Sequence, residues 1–143
     1  MRLSRRTSSR GSTAKSPESV RLLLDTHVVL WWSEGSRLLR PTVRKQITDA
    51  EEVFVSAASA WEISIKVALG KLRIPGPLMD VVAASGFLPM PIDFAHAEAV
   101  KSLPPLHTDP FDRLLVAQAQ VERLHLVTHD RLLERYPVQF LRA

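Results

Sequence analysis

The side chains of this sequence best equipped for chemistry are carboxylates, and they stand where the chain changes character. Asp25 ends the apolar run from Val20 to Leu24, and Asp130 follows His125-Leu-Val-Thr128. Glu62 comes shortly after Val53-Phe-Val-Ser56, while Asp109 and Asp112 open the apolar stretch from Pro110 to about Leu124. Carboxylates brought together repel and raise one another's pKa unless a cation neutralises them. Hard oxygen donors in a chain with no cysteine suit Mg2+ or Mn2+. An ion of that kind polarises a phosphate and lowers the pKa of its bound water, the chemistry of metal-dependent phosphodiester hydrolysis.

The intervening sequence must position these acids. Val20 to Leu24 suits a buried strand, and a short helix continues from Val28 to Trp32 before Glu34-Gly35-Ser36 breaks it. Pro41 to Ala50 reads as a helix with Val43 and Ile47 inward, and Val53 to Ser56 as a second strand. Ala57 to Leu69 is a longer helix stopped by Gly70, with Trp61, Ile65, Ala68 and Leu69 on one face expected to pack inward. Leu78 to Ala84 is a short helix, and Phe87 to Ile92 a third strand that Pro89 and Pro91 push to a sheet edge. Asp93 caps a helix running to Leu103. Asp109-Pro110 is a helix start, since Asp suits the cap and Pro the first helical position. His125 to Thr128 is a fourth strand, Arg131 to Arg135 a helical turn, and Val138 to Leu141 a last edge strand. Strands alternating with helices make an α/β protein, a parallel sheet covered on both faces.

In open parallel sheets, sites form beyond the carboxyl ends of the strands. That rule brings Asp25, Glu62, Asp112 and Asp130 to one rim and sends Asp49, Glu51 and Glu52 to the opposite edge. Each acid also has an ordinary role open to it. Asp25 and Asp130 can cap helices, Glu62 can pair with Lys66 four residues on, and Asp112 can share a capping arrangement with Asp109. Their common address outweighs these separate readings.

His27, His96, His107, His125 and His129 lack the spacing of a zinc site, and His107 reads as a hydrogen-bonding loop residue rather than a base. Asp109 is first a cap, with contact to the metal or its waters as a second role. Arg113 and Lys66 are the candidates for phosphate contact. Trp31 and Trp32, adjacent on a helix, cannot both point inward, which leaves one for a partner surface.

The totals exclude much. At 143 residues the chain is one domain with enough length for a core, and no apolar run approaches the roughly 20 residues that span a bilayer. The net charge of +4 lies entirely in residues 1–19, rich in Arg and Ser, which read as a disordered basic tail without the apolar segment of a secretory signal. A start codon placed too far upstream is an alternative origin for that tail. The folded unit, residues 20–143, is formally neutral.

The blocks LLLDTH at 22–27, SAASAWEISIKVALGKL at 56–72, HTDPFDRLLVAQA at 107–119 and LVTHD at 126–130 resemble those of PIN-domain proteins, specifically the VapC-type ribonuclease toxins of bacterial toxin–antitoxin pairs. The resemblance spans residue 20 to about 140 in the family's motif order. It implies a three-layer α/β/α domain around a parallel sheet of order 3-2-1-4-5. It also implies an Mg2+- or Mn2+-dependent endoribonuclease that acts on RNA, is held inactive by a cognate VapB-type antitoxin, forms a homodimer and works in the cytoplasm. By motif position the family's acidic quartet falls on Asp25, Glu62, Asp112 and Asp130, with Thr26 and Thr128 as supporting hydroxyls. The basic tail departs from the family, whose chains usually begin almost at the first strand. Two other readings remain open at this point: a PIN-fold nuclease of RNA processing outside any toxin system, and a catalytically silent protein that binds RNA or a partner.

Overall fold

The computed structural model describes residues 20–143; the tail expected to be disordered, 1–19, lies outside the described residues. Its centre is β1 (Arg21–Leu24), whose three leucines are buried to 2% exposure or less. β2 (Glu52–Ser56) lies on one side of it and β4 (His125–Thr128) on the other. β3 (Leu88–Met90) and β5 (Phe140–Arg142) form the two edges, so the sheet has the order β3-β2-β1-β4-β5, every pair parallel. The proline-interrupted strand does sit at an edge, where a missing N–H costs no ladder bond.

Alternation along the strands divides the core in two. Leu22 and Leu24 of β1, Val53 and Val55 of β2 and Val127 of β4 point to one face. There they meet Val28 and Val29 of α1 (Thr26–Glu34), Val43 and Ile47 of α2 (Pro41–Asp49), and Val82 of α4 (Leu78–Ala84). Leu23 and Leu126 point to the other face. Leu115, Val116, Ala117 and Ala119 of α6 (Pro110–Glu122) cover them, together with Ala58 from the start of α3 (Ala57–Ala68). Each fully buried leucine contributes roughly 2 kcal/mol. The result is an α/β/α sandwich.

Several elements differ in extent from expectation. α1 begins directly at Thr26, because Asp25 is its cap, and ends where Gly35 adopts φ 65°. The helix after Asp93 is α5 (Phe94–Ala99), continued by a 3-10 turn over Val100–Ser102, and the last strand falls two residues later than expected at its start. The inward face of α3 is a correction. Trp61 and Leu69 are 59% and 63% exposed, Ile65 is also exposed, and the buried stripe is Ala58, Ser59, Glu62 and Ile63. Both stripes have helical spacing. Ala58 packs into the core with Leu23 and Ser59 bonds to Thr26 of α1, so this stripe faces inward and carries Glu62 with it, leaving the large apolar side chains outward.

Parallel strands put their carboxyl ends, and the residues that follow them, on the same side. At the amino edge Arg21 pairs with Glu52 at 2.8 Å across a β1–β2 register pair, away from the rim acids.

Candidate metal centre

Asp25 is fixed by its own helix. The Val28 N–H donates to its Oδ1 at 2.9 Å, and its backbone N–H donates to the Val127 carbonyl, binding the ends of β1 and β4 together. The Thr128 hydroxyl bonds to the Asp25 carboxylate and also accepts the Asp130 N–H at 3.0 Å. One hydroxyl thus links two acids of the rim. Burial holds the Asp25 carboxyl above the usual carboxylate range, against the lowering influence of the Thr128 and Val28 hydrogen bonds.

Glu62 reaches the rim from the second turn of α3. Its Oε2 lies 3.3 Å from Lys66 Nζ, while its Oε1 is buried without a partner. A buried carboxylate oxygen left unpaired is costly and calls for a cation or water. Thr26 and Ser59, both buried, hydrogen-bond hydroxyl to hydroxyl at 3.0 Å and join α1 to α3 behind the acids.

Asp109 caps α6, accepting the Phe111 and Asp112 N–H groups at 2.8 and 3.2 Å. Asp112, on the first turn, has its carboxyl pushed up to about 7. Burial is the largest cause; the charges of Asp109, Asp25 and Glu62 add to it, and His107 works the other way. The charges of Asp25, at the start of α1, and of Glu62, on α3, thus bear on Asp112 of α6. Asp130 enters through His107, whose Nε2 lies 3.1 Å from Asp130 Oδ2 and 3.3 Å from Asp112 Oδ2. The Leu132 N–H occupies the other Asp130 oxygen at 2.9 Å.

Asp112 and Asp130 thus meet at His107, and Asp25 and Glu62 act on Asp112 through their charges; Thr128 and Asp109 bond within this group, whereas Thr26 bonds to Ser59. Two further residues have structural work. Lys66 pairs with Glu62. Arg113 turns its guanidinium away from the acids, donating to the Pro104 and Val100 carbonyls and to the Tyr136 hydroxyl at 3.0 to 3.2 Å. These bonds brace the loop before α6. Arg113→Ala is accordingly expected to cost about 1–3 kcal/mol in urea unfolding, with the salt dependence of RNA binding unchanged. A shallower salt slope at unaltered stability would restore the phosphate role.

His107 and Tyr136 are participants that the spacing of residues did not reveal as such. The buried Tyr136 hydroxyl accepts the His107 N–H at 2.9 Å. His107 carries a local signal, two residues before the Asp109 cap; Tyr136 carries none. Trp32 faces inward, donating to Ser85 and packing on Phe87, whereas Trp31 lies against His27 and His129 at the rim.

The donor set is hard, anionic and free of sulfur, which fits a small divalent cation. His107, Asp112 and Asp130 also place one potential ligand atom each within 4.8 Å of one another. The acids thus stand where open parallel α/β sheets form their ligand sites, beyond the carboxyl ends of the strands at the switch between β1 and β4.

The PIN-domain family profile matches residues 22–139, and the chain belongs to that family. It is similar to Ribonuclease VapC22 of Mycobacterium tuberculosis, 34% identical over 122 residues that cover 80% of this chain and 91% of that protein. Two solved structures share its fold. One is VapBC2 from Rickettsia felis bound to a DNA fragment from its promoter, with TM-score 0.65, 13% identity and coverage of 86% of this chain and 98% of that one. The other is DNA-bound VapBC from Salmonella typhimurium, with TM-score 0.62, 17% identity and the same coverages.

Proposed function

We propose that this PIN domain is a divalent-metal-dependent endoribonuclease and the toxin half of a toxin–antitoxin pair. The observation that carries the nuclease reading is the grouping of acids at one rim: Asp112 and Asp130 meet at His107, Glu62 leaves a buried oxygen without a partner, and Asp112 is pushed up to about 7, first by burial and then by the charges of Asp109, Asp25 and Glu62. Such a cluster is unfavourable for an empty fold and useful for holding a cation. The similarity to Ribonuclease VapC22 supports RNA as the substrate class, and the likeness to VapBC complexes supports an antitoxin as partner.

Asp25, Asp112 and Asp130 would hold the cation, with Glu62 as a further oxygen donor whose Oε1 has no other partner. Bound there, Mg2+ or Mn2+ supplies charge neutralisation at the scissile phosphate and a more acidic water. The chain's own contribution is preorganisation: Thr128 ties Asp25 to the loop of Asp130, and the Asp109 cap sets the first turn that carries Asp112. Glu62, with one buried oxygen free of other partners, is placed to orient a water or a second ion. The exposed stripe of Trp61, Ile65 and Leu69 supports reading the chain as one half of an assembly. No helix among the described residues is long and apolar enough to cross a membrane; the cytoplasmic site of action rests on the similarity to Ribonuclease VapC22.

The test is incubation of purified, antitoxin-free protein with a mixed pool of structured RNA, in Mg2+ or Mn2+ and in EDTA. Cleavage lost with chelator, restored by either ion, and absent from an Asp25→Asn preparation is expected. Folded, metal-loaded protein that cuts no RNA in the pool would overturn the nuclease reading. Growth arrest on induction, abolished by Glu62→Gln, is expected of the toxin; arrest that survives this change would favour a partner-binding mode of action.

A further inference from the structure

We propose that His107 is a positioning residue of the acidic centre: a hydrogen-bond donor of fixed tautomer that pairs Asp112 with Asp130 and is not itself a metal ligand. The inference rests on the metal-dependent reading of the site and assigns a task to a side chain that the acidic quartet does not include.

The argument starts from the ring's inner nitrogen. The Asp109 backbone N–H points at His107 Nδ1 over 3.0 Å, so Nδ1 must offer a lone pair. In a neutral imidazole the proton then sits on Nε2. That nitrogen lies 3.1 Å from Asp130 Oδ2 and 3.3 Å from Asp112 Oδ2, so a single N–H faces two carboxylate oxygens. The ring cannot easily turn away. Its own backbone N–H is held by the buried Tyr136 hydroxyl, which Arg113 also engages, and Asp109 is fixed as the cap of α6.

Ligation of a cation through Nε2 would require the proton to move to Nδ1. There it would meet the Asp109 N–H head on, donor against donor, at the cap that sets Asp112. The three potential ligand atoms of His107, Asp112 and Asp130 thus divide by chemistry. Two are oxygen donors for the cation. The third carries the N–H that holds those carboxylates at a common spacing, as partners outside the ligand set commonly do.

The test is calorimetric titration of Mn2+ and of Mg2+ into the full chain, as wild type, His107→Gln and His107→Ala. A glutamine amide can present an N–H near the position of Nε2; alanine cannot. His107→Ala is expected to weaken both ions by about ten- to a hundred-fold in similar proportion, and His107→Gln to recover most of the loss. Unchanged affinity in His107→Ala would overturn the proposal. So would a selective loss of Mn2+ in which glutamine is no better than alanine, because that pattern belongs to a nitrogen ligand.

Nitrogen-15 spectra of the metal-free wild type, assigned against His107→Gln, provide a readout that does not depend on metal loading. The Nε2–H tautomer is expected for His107, and the Nδ1–H tautomer would overturn the assignment even if the alanine variant fails to fold. Wild type that binds neither ion and cuts no RNA would sink the nuclease reading, while the ring spectrum would still decide the tautomer.

Discussion

Asp112→Asn is expected to abolish RNA cleavage, by on the order of 10³-fold, and at the same time to make the metal-free protein more stable. The second effect follows from the raised pKa. Asp112 titrates near 7 in the folded protein against an ordinary value of 3.8, because burial and the charges of Asp109, Asp25 and Glu62 all disfavour its ionised form. At pH below about 4 both folded and unfolded chains hold the proton, and the site imposes no penalty. Between that pH and about 7 the unfolded chain releases the proton more readily, so the stability associated with protonated Asp112 is lost as pH rises through the folded value. The metal-free wild type should therefore weaken progressively over this range. Asparagine carries no charge, and the variant should escape the share of the decline that belongs to Asp112, keeping that of Asp25, whose carboxyl burial also raises.

At pH 8 in EDTA the variant should be more stable by about 1–3 kcal/mol, and at pH 4 the two proteins should nearly coincide. Calorimetric melting at several pH values checks both points. A variant less stable than the wild type at pH 8, with the gap closing as pH falls, would show that Asp112 is stabilised as a carboxylate and would refute the crowded-acid account. Saturating Mn2+ should reverse the ranking at pH 8, since the wild type binds the ion and gains stability by mass action.

Leu24→Ala should cost about 2–5 kcal/mol, the other large effect. Leu24 is fully buried on the central strand, pairs in register with Val55 on one side and Val127 on the other, and directly precedes Asp25. Truncation opens a cavity between β1 and the layer of α1, α2 and α4, at a position with little freedom to collapse because the strand is hydrogen-bonded on both edges. Urea unfolding at matched pH, with the slope unchanged, measures the loss. A cost under about 1 kcal/mol would mean that the layer repacks, and that this face of the core is looser than its burial indicates. Because Asp25 follows immediately, weaker Mn2+ binding should accompany the loss of stability.

Much of this architecture was legible from local patterns. Short apolar runs bounded by Asp or Ser marked the strands β1, β2 and β4, and Asp109-Pro110 marked the start of α6. Prolines marked β3 as an edge. The rim rule then collected Asp25, Glu62, Asp112 and Asp130, because parallel strands end on the same side wherever they lie in the sheet.

The orientation of α3 was not legible, since Trp61-Ile65-Leu69 and Ala58-Glu62 repeat with the same helical spacing. Hydrophobicity alone favours burying the tryptophan. The packing of Ala58 with Leu23 and the bond of Ser59 to Thr26 select the other stripe, leave Trp61 against Phe111 outside, and place Glu62 on the inward face.

Arg113 presents the same distinction at the level of a single side chain. Its type and position beside Asp112 fit phosphate contact, yet its partners are the carbonyls of Val100 and Pro104 and the hydroxyl of Tyr136, far off in sequence. The sequence by itself determined which residues form strands and helices and which acids share an edge, because periodicity, caps and strand direction are properties of neighbours along the chain. The tertiary structure alone decided which helix face meets the sheet, that His107 joins Asp112 to Asp130, and that Arg113 and Tyr136 hold the loop bearing it. Those outcomes depend on close packing and on hydrogen bonds between residues distant along the chain, where no local pattern carries the information.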